Sequence, residues 1–170
     1  MHGDIKPDNS LIFKEESGKY RAKVIDFGYS ARYTDKEHQL ELRGTLQWNA
    51  PEHDDHHALL WTLQQATKAD LFSLGMLYLW LLFEPDLSGL VSFLQDFKGV
   101  FLKSSSSVEN PLSKKKSELQ LYACQLLAQT SLEESEKTLL GNFFESSLSL
   151  SPEERQNKTL TEFLKLDSHE

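Results

Sequence analysis

The stretch from Leu71 to Phe83 is apolar on almost every side of the helix that it would form. A surface helix carries its apolar residues on one face, whereas a helix that is apolar all round is buried on every side. The stretch is too short to cross a bilayer, which takes about 20 apolar residues. We therefore expect it to be the central helix of a helical domain, with other segments packed around it.

Further helices are predicted in the second half of the chain. Apolar residues recur there at steps of three and four, as on one face of a helix, over residues 87–101, 119–127 and 139–148. A residue that can cap a helix stands three positions before an acidic or amide residue at Thr67, Ser117, Ser131 and Thr159. Pro152 is suited to open a short turn, since proline is favoured at the first helical position.

One β-hairpin and one long loop are predicted in the first half. Residues 10–13 and 20–25 have the composition of short strands, and the turn between them contains Gly18, which tolerates a positive φ. Residues 29–49 are polar and show no clear period, so they are expected to form a loop. The predicted fold class is therefore mainly α with a small β-hairpin.

Charge and cysteine content limit the partners and the compartment. A chain of 170 residues is long enough for one domain with a core, and its net charge is −8. That charge argues against nucleic-acid binding, which needs clustered basic residues; the short run Lys114-Lys115-Lys116 is expected in a solvated loop. Cys124 is the only cysteine, which fits a reducing compartment. With a polar start and no bilayer-length apolar stretch, we expect a cytoplasmic protein with no membrane partner.

Three short motifs follow one another in the first third of the chain. They are His2-Gly3-Asp4-Ile5-Lys6-Pro7-Asp8-Asn9, then Asp26-Phe27-Gly28, then Ala50-Pro51-Glu52 with Gly44-Thr45 shortly before it. Each triplet alone occurs by chance in many chains, whereas the joint match in this order is specific. Together they resemble the catalytic loop, the magnesium-binding motif and the end of the activation segment of eukaryotic protein kinases. By the same resemblance, Lys6 two residues after Asp4 is similar to the serine/threonine type.

The resemblance implies transfer of a phosphoryl group from ATP, with Mg²⁺, to a hydroxyl of a protein substrate. Such transfer depends on positioning and on neutralising charge. Asp4 would accept the proton of the attacking hydroxyl, and Lys6 would steady the moving phosphoryl group. Asn9 and Asp26 would hold the magnesium ion.

Other residues are implied to shape the site. Phe27 would pack beneath it and Gly28 would let the backbone turn. Structural roles are implied for His2, Thr45, Glu52, Asp70 and Arg155. In the family the histidine packs near the phenylalanine, the aspartate holds the backbone of the catalytic loop, and the arginine pairs with the glutamate. Asp70 is also open to interpretation as a plain helix cap.

Gly3 departs from the family pattern, because an arginine usually precedes the catalytic aspartate. That arginine normally pairs with a phosphate on the activation loop. Without it, phosphorylation of Ser30, Tyr33 or Thr34 would lose its usual partner. We expect such a kinase to be active without that modification or to be controlled in another way.

The run His53-Asp54-Asp55-His56-His57 has the composition of a metal site. Consecutive ligands on one loop are poorly placed for a closed tetrahedral site. A solvated loop is therefore the favoured interpretation, with metal binding as the alternative.

The resemblance covers residues 1–170 as a partial kinase domain: a catalytic loop at 2–9, an activation segment at 26–52 and a helical subdomain at 58–170. It implies a kinase-like C-terminal lobe with the N-terminal lobe absent, since no Gly-rich loop and no Lys–Glu pair for the phosphates is recognisable. Met1 falls on a position that is internal in the family, so a truncated sequence or a fragment is expected. Two functions stay open: a serine/threonine kinase domain that is inactive in isolation, with the missing lobe or a protein partner supplied elsewhere, or a non-catalytic, pseudokinase-like binding module or degenerate gene fragment.

Overall fold

The computed structural model of the chain describes residues 1–32, 39–41, 43–54, 60–83, 116 and 118–156. Several predictions concern residues outside these ranges. They include the helices over 87–101 and after Thr159, the cap at Ser117, the activation-loop residues Tyr33 and Thr34, and most of the run from 53 to 57.

The predicted hairpin is present and follows the 3-10 turn Pro7–Asn9. Strand β1, Ser10–Lys14, pairs antiparallel with β2, Tyr20–Val24, so that Ser10 lies opposite Val24. The connecting turn is closed by the Glu15 amide, which donates to the Lys19 carbonyl at 2.8 Å. Most side chains of both strands are exposed. The hairpin is therefore held mainly by its own ladder, and it carries the chain from the catalytic-loop motif to Asp26.

A second pair of strands corrects the prediction that residues 29–49 form only a loop. Strand β3, Gln39–Leu40, pairs antiparallel with β4, Trp61–Thr62. Strands of two residues are too short to show a period, and their pairing joins segments about 20 positions apart in the sequence. The pairing brings the loop back to the start of the first long helix.

Helix α1, Leu63–Phe83, begins earlier than predicted. Thr62 and Gln65 form a reciprocal capping box: the Thr62 hydroxyl accepts the Gln65 amide at 3.3 Å, and the Gln65 side chain accepts the Thr62 amide at 2.9 Å. The predicted cap at Thr67 is wrong, because Thr67 lies inside the helix and its hydroxyl donates to the Leu63 carbonyl at 2.9 Å. Gln65 has the longer side chain that a capping box requires. Asp70, which was predicted to complete the box with Thr67, instead accepts hydrogen bonds from the backbone of residues 2 and 3.

The core forms where α1 meets two later helices, α2, Leu119–Ala128, and α3, Glu134–Ser147. Its largest buried side chains include Phe72, Leu79, Leu119, Phe143, Phe144 and Leu148. The predicted stripes of α2 and α3 supply these contacts, as expected from their periodicity. The core thus places α1 between the two later helices and the motif-bearing loops.

The prediction that α1 is buried on every side is wrong at the C-terminal end of the helix. Leu81 and Leu82 are 45% and 44% exposed, whereas the neighbouring Leu79 and Phe83 are buried in the core, so the last turn has one exposed face. By length and composition alone, α1 is the one described helix that could cross a membrane, yet more than half of it is buried inside the protein. Its apolar composition is accounted for by this packing.

The start of α3 also differs from the prediction. Glu133, not Ser131, is the N-cap, and the Glu136 carboxylate accepts the Glu133 amide at 2.9 Å. Both residues belong to an acidic run, where an N-terminal helix dipole favours negative charge. The Ser131 pattern was two residues too early.

A close crossing of α1 and α3 explains the glycine in the middle of α1. A methyl group added at Gly75 would lie 2.9 Å from Ser147 Cβ and 3.0 Å from Leu148 Cδ2. Glycine inside a helix costs about 1 kcal/mol relative to alanine. Here the missing side chain permits the two helices to approach, so the cost is offset by packing.

We predict opposite effects for two helical glycines. Gly75→Ala should lower the free energy of unfolding by about 1–3 kcal/mol through overpacking. Gly141→Ala in α3 should raise it by up to about 1 kcal/mol, because a methyl group there meets no atom within 4 Å. Urea denaturation of both variants beside the wild type measures the difference. Equal effects of the two substitutions would contradict a close crossing at Gly75.

Candidate active site

The first motif is anchored to the central helix through its backbone. The Asp70 carboxylate in α1 accepts the His2 amide at 2.5 Å and the Gly3 amide at 2.9 Å, one on each oxygen. These hydrogen bonds join residues almost 70 positions apart in sequence. The aspartate that the sequence left open between a cap and a loop anchor is therefore found bonded to the loop.

The His2 ring connects the first motif to the second. Its Nε2 lies 3.0 Å from the Ile25 carbonyl, and its Nδ1 lies 3.2 Å from the Asp4 amide. A carbonyl can only accept and an amide can only donate, so the ring is the neutral tautomer with the proton on Nε2. The ring also meets Phe27 edge-on, with 5.2 Å between centroids.

Ile25 is held on both sides, which places Asp26 next to the catalytic-loop motif. Its carbonyl accepts from His2, and its amide donates to the Asn9 carbonyl at 2.9 Å. The next residue, Asp26, has a φ of +62°, a left-handed conformation that is uncommon outside glycine. Its Oδ1 accepts the Gly28 amide at 3.1 Å, and this hydrogen bond supports the turn.

Asp4 lies at the centre of a hydrogen-bonded cluster. Its Oδ1 accepts from the Thr45 hydroxyl at 2.8 Å, and its Oδ2 accepts from Lys6 Nζ at 2.8 Å and Asn9 Nδ2 at 3.0 Å. Lys6 Nζ also donates to Thr45 Oγ1 at 2.6 Å. Both Asp4 and Asn9 are buried. The cluster thus joins the first motif to the segment that precedes Ala50-Pro51-Glu52.

These partners keep Asp4 ionised. Burial alone raises the pKa of Asp4, but the hydrogen bonds from Lys6, Thr45 and Asn9 and the charge of Lys6 outweigh it, so the pKa lies below its ordinary value. A buried carboxylate with this environment is an anion at neutral pH. It can accept a hydrogen bond from an incoming hydroxyl group.

The oxygen atoms of Asn9 and Asp26 suit a hard divalent cation. Both hydrogen bonds of Asn9 to Asp4 use its amide nitrogen, which leaves the amide oxygen as an acceptor. Asp26 is exposed and offers a carboxylate on the neighbouring segment. Mg²⁺ is commonly held by one or two such oxygen ligands together with substrate phosphates. The donor set therefore fits magnesium.

Phe27 differs from the sequence expectation. It was predicted to pack beneath the site, whereas its side chain is 64% exposed and contacts His2 with an edge. Within the described residues, only one side of the ring is covered. Contact with the histidine, which was expected by resemblance, is present.

One protein-family model matches almost the whole sequence of this chain. The model for the protein kinase domain matches residues 1–165. The chain belongs to the protein kinase family.

Individual serine/threonine kinases match about half of this kinase chain. A segment of 78 residues is 37% identical to serine/threonine-protein kinase pakC of Dictyostelium discoideum, covering 45% of this chain and 14% of that protein. Serine/threonine-protein kinase CLA4 of Saccharomyces cerevisiae is 36% identical over 78 residues (45% and 8%). Serine/threonine-protein kinase/endoribonuclease IRE1 of Oryza sativa subsp. japonica is 41% identical over 81 residues (45% and 8%). The matches thus span less than a sixth of the length of these relatives.

The predicted ion pair between Glu52 and Arg155 is present and buried. The guanidinium donates twice, from NH1 to Oε1 at 2.6 Å and from NH2 to Oε2 at 2.9 Å. Its Nε donates to the Ser149 carbonyl at 2.8 Å, and its Cζ atom lies 5.0 Å from the centroid of the Phe72 ring. Arg155 is fully buried, so the pair joins the turn that contains Glu52 to α1 and to the turn Pro152–Glu154.

His53 corrects the prediction of a solvated loop. It lies in the 3-10 turn Pro51–Asp54, and its Nε2 is buried with no hydrogen-bond partner among the described residues. Lys116, also predicted in a solvated loop, is 2% exposed. Burial lowers the pKa of His53 to about 4, with the charges of Lys116 and Arg155 adding to it and that of Glu52 opposing it. No local sequence signal indicates this burial, since neighbouring residues are polar.

We predict that Arg155→Met destabilises the protein by about 3–5 kcal/mol, because it leaves the Glu52 carboxylate buried without its partner. The matched control is Arg43→Met. Arg43 pairs with Glu41 at 2.8 Å, but both side chains are more than half exposed, so no measurable change is expected. Thermal and urea unfolding of the two variants give the comparison. An Arg155 variant as stable as the Arg43 variant would show that the buried pair contributes little.

We predict that His53 makes stability depend on pH between 6.5 and about 4. Its folded-state pKa lies below the ordinary value of 6.5, so the folded protein favours the neutral ring. This contribution is complete above pH 6.5 and is lost as the pH falls toward 4, by up to about 3 kcal/mol. Urea unfolding of wild type and His53→Gln from pH 7 to 4.5 measures it. Parallel pH profiles of the two proteins would contradict the prediction. Asp4 affects the pH dependence of stability only at lower pH, since its pKa in the folded protein is below its ordinary value of 3.8.

Proposed function

We propose that this chain carries the catalytic loop and magnesium-binding half of an ATP-dependent protein serine/threonine kinase. The cluster around Asp4 is the observation that supports it: a buried carboxylate bonded to Lys6, Asn9 and Thr45. A structural ion pair alone would not need the Asn9 amide from the same motif and the Thr45 hydroxyl from a second segment. The substrate would be a protein hydroxyl group.

Each residue of the cluster would have its own role in phosphoryl transfer. Asp4 would accept the hydrogen bond of the attacking serine or threonine hydroxyl and orient it. Lys6, which is 19% exposed and 2.8 Å from Asp4, would place a positive charge beside the transferring group. Thr45 bridges the two side chains and so would hold the end of the activation segment in register with the catalytic loop.

The amide oxygen of Asn9 and the carboxylate of Asp26 would hold magnesium. When bound, the ion neutralises charge on the phosphate oxygens. The left-handed turn at Asp26 and the anchor at Ile25 would fix the distance between these two ligands. ATP would therefore be bound through the ion on this side of the site.

A pseudokinase-like binding module is the second candidate. It is favoured by exposed apolar side chains on the hairpin and the following segment: Leu11, Ile12, Tyr20, Val24, Phe27 and Tyr29. Such a surface suits contact with another polypeptide segment. The protein substrate, the binding partner and a cytoplasmic location stay predictions.

We predict that the chain binds Mn²⁺, a paramagnetic substitute for Mg²⁺, at Asn9 and Asp26 in the presence of ATP. The amide signals of Gly28 and the side-chain signal of Asn9 should broaden selectively in NMR spectra, and Asp26→Asn should abolish this. Asp8→Asn is the matched control, because Asp8 is an exposed carboxylate on the turn that contains Asn9. Equal loss in both variants, or no selective broadening, would favour the binding-module interpretation.

Phosphate transfer by the isolated chain is expected to be absent, because positioning of ATP requires contacts on both sides of the nucleotide. The assay uses labelled ATP, Mg²⁺ and a general serine/threonine substrate. Incorporation that disappears in Asp4→Asn would show that the 170 residues suffice for catalysis.

A further inference from the structure

Gly3 lies where three segments of the chain approach one another. Its φ is +87°, and a methyl group added to it would lie 2.6 Å from the Tyr29 carbonyl oxygen and 2.9 Å from Met1 Cε. Atoms at such distances overlap, and a backbone oxygen cannot move aside as a flexible side chain does. Residue 3 is therefore limited to glycine by space as well as by conformation.

The missing side chain at residue 3 permits a direct backbone contact between the start of the chain and the segment around Ala31. The Met1 amino group donates to the Ala31 carbonyl at 3.0 Å, and the Ala31 amide donates to the Met1 carbonyl at 3.2 Å. The first residues of the chain thus pair directly with the segment that follows Asp26-Phe27-Gly28. Tyr29, which faces Gly3, belongs to that segment.

The third segment approaches from the other side. Gly44 has a φ of +141°, and a methyl group on it would lie 2.8 Å from the Gly3 carbonyl oxygen. Gly44 immediately precedes Thr45, which bonds to Asp4. The Gly3 amide meanwhile donates to Asp70. Residue 3 is therefore enclosed by α1, by the segment after Asp26 and by the segment before Thr45.

We propose that Gly3 is a positioning residue for Asp4: its missing side chain lets the catalytic loop lie directly against Tyr29–Ala31 and Gly44, so that backbone packing sets the geometry of the site. This proposal rests on the proposed function and adds how the geometry of the site is controlled. A site held by direct backbone contact does not need a phosphate and an arginine to bring the activation segment onto the catalytic loop.

Gly18 separates the effect of space from that of conformation. Its φ of +84° is close to that of Gly3, but a methyl group there would meet no atom within 4 Å. Gly18→Ala therefore introduces only the strain of a left-handed alanine. Any additional effect of Gly3→Ala comes from the contacts around residue 3.

The test compares Gly3→Ala with Gly18→Ala in the full chain by NMR. Two local signals are followed: hydrogen exchange of the Ala31 amide, which bonds to Met1, and the chemical shift of the Asn9 side-chain amide, which bonds to Asp4. Gly3→Ala should speed exchange at Ala31 by about tenfold or more and move the Asn9 side-chain amide signal toward that of a free asparagine. Gly18→Ala should leave both unchanged. Unchanged signals in Gly3→Ala would overturn the proposal.

Two further variants complete the design. Gly3→Asn tolerates a left-handed backbone but still carries Cβ, so it should behave as Gly3→Ala; recovery of the wild-type signals in it would overturn the proposal. Gly44→Ala, which approaches from the opposite side, should shift the same two signals. If Gly3→Ala and Gly44→Ala both fail to fold while Gly18→Ala folds, the contact supports the fold as a whole and the positioning role is wrong. Neither signal requires nucleotide, so the result is independent of whether the chain binds ATP.

Discussion

The hydrogen bonds from the backbone of His2 and Gly3 to the Asp70 carboxylate hold the rest of the site in place. Asp70 belongs to α1, whose position is fixed by the burial of Phe72, Leu79 and other side chains against α2 and α3. A carboxylate with one amide on each oxygen has little freedom to rotate. The position of the first motif, residues 2–9, is therefore set by the hydrophobic core.

From this anchor the site is extended by contacts between loops rather than by secondary structure. His2 reaches Ile25, Ile25 reaches Asn9, and Thr45 reaches Asp4. These contacts satisfy polar groups that are partly or fully buried, as Asp4 and Asn9 are, and leaving a buried polar group without a partner costs about 1–3 kcal/mol. Polar satisfaction thus brings together residues from three motifs.

The sequence predicted well those features that depend on neighbouring residues. The hairpin, the apolar faces of α2 and α3 and the turn at Pro152 agree with the structure, because strand composition, turn glycines, helical period and proline geometry are local properties. Helix starts were less well predicted. Thr62 and Glu133, rather than Thr67 and Ser131, begin α1 and α3, since several residues can cap and tertiary packing selects among them.

The sequence by itself determined the family and indicated candidate site residues, because the residues of the three motifs stand in a fixed order. Only the tertiary structure decided which of them touch. It linked Lys6, Asn9 and Thr45 to Asp4, joined β3 to β4, buried Nε2 of His53 and left Phe27 exposed. It also showed that Gly3 is enclosed by backbone from two other segments. These contacts join residues far apart in the chain, and their energies depend on burial and on hydrogen-bond geometry, which no local pattern of residues contains.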